Sequence, residues 1–213
     1  MEQKQNQFQA GAKWLHWLVA FLLISVIFEA FSFKWTLPED RATAIPAHVS
    51  VGMIILVLTV IRLAYRGVHR PPPTRQTTPS WMRSGAKFGH FMLYALVFYM
   101  AIIGICMAAL SPVDIRVFSG FNVSALAPAD KDQLATLRQF HFAGALLFVA
   151  TIIGHIAAAV WHQFVLKDGL VVRMLPFSGL ISGILAQGRP AAWRFPTHNC
   201  VDWHRKGTWF SEN

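Results

Sequence analysis

Four stretches of the chain are apolar over about twenty residues or more, the length that crosses a hydrocarbon core of roughly 30 Å. They span 14–33, 46–65, 86–110 and 140–166, and each begins within a turn or two of a histidine: His16, His48, His90 and His141. The segments between them cannot cross. Residues 66–85, RGVHRPPPTRQTTPSWMRSG, carry a triple proline and several arginines and read as a stiff extended loop. Residues 111–139 are polar and contain APADKDQLATLRQ, where Ala129 or Asp130 would start a short amphipathic helix ahead of the fourth span. The pattern predicts an all-α integral membrane four-helix bundle over residues 8–176, followed by a cytoplasmic tail, 177–213, interfacial or disordered in character.

Composition agrees. Only 14% of the 213 residues are charged and 54% are hydrophobic, whereas a soluble domain is about a quarter charged. The net charge of +9 does not point to nucleic acid, because the cations sit in the gaps between apolar runs, where membrane topology is encoded. Fourteen of the nineteen Lys and Arg fall in the N-terminus, at and around the 66–85 loop, and after residue 166, against five on the other side. That asymmetry puts both termini in the cytoplasm. The first run follows Lys4 and Lys13 but has no small-residue cleavage site, so it reads as a retained helix. Cys106 and Cys200 form no CxxCH motif, which excludes covalent c-type haem attachment. Trp14, Trp17, Trp35, Trp81 and Trp161 fit interfacial belts.

The chemistry lies in the histidines. His141 and His155 are fourteen residues apart; at about 100° per residue they share a helix face, and at 1.5 Å per residue they are roughly 21 Å apart along it. With the N-terminus inside, His48 and His141 lie near the outer face, and His16 and His155 in the cytoplasmic half. Each layer offers two imidazoles from different helices, the ligand set of a haem b. The fold therefore predicts two haem b stacked along the membrane normal, each six-coordinate and suited to electron transfer. A single such histidine would be an ordinary interfacial residue; two depth-matched pairs inside a membrane bundle are a functional site. Zinc fits less well, since it takes three or four protein ligands within a few ångströms.

Arg62 follows His48 by fourteen residues and so reaches the cytoplasmic layer, either pairing with a haem propionate or snorkelling to the surface. Gly52, Gly104, Gly144 and Gly154 either let a flat macrocycle approach or serve close helix packing. Glu29, near the outer end of the first span, either reaches water or has a proton or charge role. His90 and His162 are left over at the cytoplasmic end, as candidate proton donors to a quinone or interfacial hydrogen-bonding groups. His198, Cys200 and His204 form a weak metal-like spacing in the tail.

These residues resemble the bacterial cytochrome b561 family, and within it the superoxide:ubiquinone oxidoreductase type. The resemblance covers about residues 8–176 and rests on KWLHWL, AHVSVG with VIRLAYR after it, GAKFGHFMLYAL, and FH with a second histidine fourteen residues on, then KDGLVVRMLP. It implies a four-helix bundle with two haems b, ligated by His16 with His155 and His48 with His141. It further implies a respiratory-chain oxidoreductase that takes electrons from superoxide on the periplasmic side and passes them to ubiquinone. A rival reading within the same resemblance is a cytochrome b subunit that relays electrons between a partner dehydrogenase or hydrogenase and quinone. A third is a four-helix channel or assembly factor without haem.

Overall fold

The computed structural model describes residues 8–33, 35, 37–69, 79–118, 120–167 and 169–176. All of these belong to the first of two units, Met1–Pro176. The expectations placed on 177–213, the His198/Cys200/His204 spacing included, lie outside the described residues, as do 70–78 of the proline-rich loop; the ends of that loop, 66–68 and 80–85, are helical rather than extended.

The described chain is mostly helical: α1 (Ala10–Ser32), α2 (Pro38–Val68), α3 (Ser80–Ala109), α4 (Lys131–Phe164) and a short α5 (Leu170–Met174). The first four are long and apolar enough to cross a membrane. Each of these four begins before the apolar stretch that announced it, and only α2 also runs past its end. α2 starts at Pro38, the first helical position, where a missing N–H costs nothing. Pro46, the expected start, lies inside the helix. No separate amphipathic helix precedes the fourth span. The 131–139 stretch is instead the opening of α4, capped by Asp130, whose carboxylate accepts from the N–H groups of Asp132 (3.0 Å) and Gln133 (2.9 Å). Gln133 Nε2 also donates to the other carboxylate oxygen at 2.8 Å, so three donors converge on one capping side chain. At 34 residues, α4 is about 51 Å long, so a good part of it stands outside the roughly 30 Å hydrocarbon layer.

The chain is also not wholly helical. Between α3 and α4, β1 (Arg116–Val117) pairs antiparallel with β2 (Phe121–Asn122), and a 3-10 turn follows at Val123–Ala125. Ile115, Val117 and Val123 from this lid are buried with Ala108 of α3, against Val49, Met53 and Ile105. The turn is tied to α2 through Ser50, whose Oγ accepts from the Phe118 N–H at 3.3 Å.

A second cluster, Ile55, Leu96, Val97 and Phe148 with Leu22, Leu23 and Val26 around it, fills the middle of the bundle. Most other large apolar side chains are exposed, among them Phe21, Phe28, Phe91, Phe142 and Ile153. In water such a surface would aggregate; in a bilayer it faces lipid.

Candidate functional site

The histidines pair across helices as their spacing requires. His16 on α1 faces His155 on α4 with ring centroids 6.4 Å apart, and His48 on α2 faces His141 on α4 at 6.5 Å. The planes are steeply crossed, 78° and 69°. Since His16 and His48 both lie early in their helices while their partners lie late and early in α4, α1 and α2 run in opposite directions. His90, early in α3, meets His155 at 5.4 Å, so α3 runs with α1. The bundle therefore has a His16 end and a His48 end, with the Ile55–Phe148 cluster between them.

These spacings test what the pairs can hold. Two imidazoles sharing an N–H···N hydrogen bond of about 2.9–3.0 Å would have centroids about 5.2 Å apart. Two imidazole nitrogens each about 2.0–2.1 Å from one central ion would have centroids about 6.3 Å apart. The observed 6.4 and 6.5 Å match the second arrangement. The Nδ1 atoms of His16, His48 and His141 are buried without a hydrogen bond among the described residues. Gly104 adds room at the His48 end: a Cβ there would lie 3.4 Å from His141 Cε1. The donor set and spacing fit a bis-histidine haem at each layer. Among the described residues, no three of His, Cys, Asp and Glu converge as a metal site, which disfavours zinc.

Glu29 turns inward rather than out to water. Its Oε2 lies 3.6 Å from His48 Nδ1, with both side chains about three-quarters buried. Sequence spacing carried no signal for this contact, which depends on how α1 rotates against α2. Phe33 packs on the same ring, 5.5 Å between centroids.

The His16 end is built differently. Arg62 is close enough for its charge to act on His16, His90 and His155, and its guanidinium sits 5.8 Å from the centroid of the Tyr94 ring. It has entered the layer rather than snorkelled away. Tyr94 Oη and Thr59 Oγ1 are buried without a hydrogen-bond partner among the described residues. His90 belongs to this layer too. Its Nδ1 lies 2.6 Å from the Ala86 carbonyl; a carbonyl only accepts, so Nδ1 carries the proton and Nε2 is left basic. His162 lies seven residues beyond His155, in the last turn of α4.

The glycines divide. A Cβ at Gly144 would overlap the Tyr99 ring and lie 3.0 Å from Met100 Sδ, so this glycine serves α3–α4 packing. Gly52 and Gly154 face open space. α5 closes the His16 end: Trp17, beside His16, donates its Nε1–H to the Met174 carbonyl at 3.0 Å.

Comparison with known proteins follows the same lines. Residues 7–177 match the family described as prokaryotic cytochrome b561. The chain is 30% identical over 178 residues to the probable superoxide oxidase CybB of Yersinia pestis, covering 83% of this chain and 98% of that one. It is 26% identical over 174 residues to cytochrome b561 homolog 1 of Escherichia coli K12, covering 80% of this chain and 98% of that protein. It is 28% identical over 167 residues to cytochrome b562 of Cereibacter sphaeroides, covering 76% and 90%. With four membrane-crossing helices and facing histidine pairs alongside this match, the chain belongs to the prokaryotic cytochrome b561 family of haem-binding membrane electron-transfer proteins.

Proposed function

We propose that the protein is a di-haem membrane cytochrome that oxidises superoxide to dioxygen on the periplasmic side and reduces ubiquinone near the cytoplasmic side. The observation that carries this reading is the pair of matched centroid spacings, 6.4 and 6.5 Å, at two levels of one bundle. Haem b held by two imidazoles supplies reversible one-electron chemistry at a six-coordinate iron. His48 with His141 and His16 with His155 would hold the two haems, and Arg62 would pair with a propionate at the His16 layer. The probable superoxide oxidase CybB, at 30% identity, supports superoxide as the donor.

Orientation follows from charge. Among the described residues, Lys13, Arg62, Arg66, Arg83, Lys87, Lys167 and Arg173 cluster toward the His16 end, against Arg41, Arg116, Lys131 and Arg138 toward the other. The His16 end, with both termini, faces the cytoplasm. At the periplasmic end those four cations steer the superoxide anion, weakened by Asp40, Asp114, Asp130 and Asp132 nearby. The Ile55–Phe148 cluster keeps the space between the layers dry, so electrons cross without a continuous water path. At the cytoplasmic end His162, and His90 once its Nε2 has taken up a proton, are the groups that supply protons to the quinone. The balance is two superoxide ions giving two electrons and two dioxygen, and one quinone taking both electrons with two protons to become quinol.

The test is the purified chain with superoxide and a water-soluble ubiquinone. Quinone reduction well above the spontaneous rate, with two haems b per chain in the reduced-minus-oxidised spectrum, is the expected result. Two haems with no superoxide-driven turnover would instead make the chain a cytochrome b subunit serving a partner dehydrogenase or hydrogenase. Absence of any b-type spectrum would remove both readings.

A further inference from the structure

The two histidine layers share a geometry but not an electrostatic setting. Every carboxylate among the described side chains, Glu29, Asp40, Asp114, Asp130 and Asp132, belongs to the His48 end. Only Glu29 touches a layer histidine, at 3.6 Å from His48 Nδ1. The His16 layer contains no described carboxylate. It has Arg62, whose guanidinium sits 5.8 Å from the Tyr94 ring centroid, one turn along α3 from His90, which packs on His155.

We infer that this asymmetry sets the direction of electron flow: Glu29 makes the His48–His141 layer the weaker electron acceptor, and Arg62 makes the His16–His155 layer the stronger one. The inference rests on reading each layer as a bis-imidazole haem b site. A reduced centre holds one more electron than its oxidised form. A nearby negative charge raises the energy of the reduced form and a nearby positive charge lowers it, with more force inside the bundle than in water. Glu29 also acts through its neighbour. A ligating histidine whose other ring N–H points at a carboxylate is more basic and favours the oxidised metal. At 3.6 Å the contact is longer than a hydrogen bond, and a small rotation of the Glu29 side chain closes the difference.

The cations at the His48 end do not cancel this effect. Arg116 is exposed and lies 3.5 Å from Asp114. Arg41 donates to the Phe33 carbonyl at 3.1 Å from an exposed position. Both are screened by salt and water, whereas Glu29 and Arg62 are inside. Electrons from a one-electron donor on the His48 side therefore run downhill to the His16 side.

The experiment is a spectroelectrochemical titration of the haem-loaded chain. The native protein should show two one-electron components, and His141→Ala, by removing one layer, assigns the lower of them to His48–His141. Glu29→Gln should raise that lower component enough to change its oxidised-to-reduced ratio at least tenfold at fixed ambient potential, which is 59 mV for a one-electron couple. The upper component should stay in place. Glu29→Asp, which keeps the charge but shortens its reach, should fall between. Arg62→Gln should lower the upper component alone, and it tests the second half of the inference even if Glu29→Gln loses haem. Two haems whose components ignore Glu29→Gln and Arg62→Gln, or a lower component assigned to His16–His155, would overturn the inference and leave the di-haem reading standing. Fewer than two haems in the native chain would instead remove that reading.

Discussion

The His48 end and the His16 end of the bundle hold the same pair of facing imidazoles, and almost everything around the pairs differs. At the His48 end a small β lid, 111–126, is packed over α2 and α3 and pinned to Ser50. A carboxylate reaches the ring from α1. At the His16 end the cover is the short helix α5, tied to Trp17, and a third histidine and an arginine join the layer. Ligand geometry is thus duplicated while surroundings are not. With a haem at each pair, this division would make the step from the His48 end to the His16 end downhill, whereas identical surroundings would leave it level.

The comparison breaks most sharply if the two layers are not independent. His141→Ala should remove the haem at the His48 end and leave the other, halving haem b per chain by pyridine haemochrome assay. His16→Ala should halve it as well, but from the opposite end, so the residual spectra of the two variants should sum to the native one. Loss of both haems from either single substitution would mean that the layers fold as one unit through the shared α4.

The shared face of His141 and His155 could be read from the chain, because helical rise and rotation are fixed and fourteen residues leave little freedom. Arg62 was legible for the same reason. Glu29 beside His48, and His90 beside His155, were not, since each depends on the rotation of one helix against another, which periodicity within a helix does not encode. The start of α4 at Asp130 was legible, but, because 131–139 is polar, not that the same helix continues into the fourth span; a helix longer than the bilayer is thick will carry polar turns at its end. Pro46 misled for a physical reason too: proline is favoured at helix starts, yet here α2 runs through it, with Ser50 Oγ donating to its carbonyl at 2.7 Å. The lid strands have two residues each, too few for any alternation to show.

A smaller effect sharpens the contrast in packing. Gly144, one turn from His141, has no room for a methyl group against Tyr99 and Met100, while Gly154, next to His155, faces open space. Gly144→Ala should cost about 1–3 kcal/mol by overpacking, seen as a lower unfolding temperature in detergent and a broadened spectrum of the His48-end haem. Gly154→Ala should stay within about 0.5 kcal/mol of native. Equal losses from the two would mean that the His16 end is packed as tightly as the other.

The smallest effect concerns the lid itself. Phe118 sits at φ 50°, a left-handed conformation that costs a residue with a Cβ about 1–2 kcal/mol. Its side chain is 57% exposed, so little burial offsets the strain. Glycine adopts that conformation freely, but it also gains freedom in the unfolded chain, worth about 0.4–1 kcal/mol. Phe118→Gly should therefore leave the lid in place and raise stability by no more than about 1 kcal/mol, with the Ser50 contact intact because it uses the backbone N–H. Thermal unfolding in detergent and in lipid nanodiscs separates the possibilities. A small gain in both media fits a strained turn held only by its backbone. A loss confined to nanodiscs would show that the Phe118 ring is anchored in the membrane interface, and the lid would then be a membrane-bound feature of the His48 end.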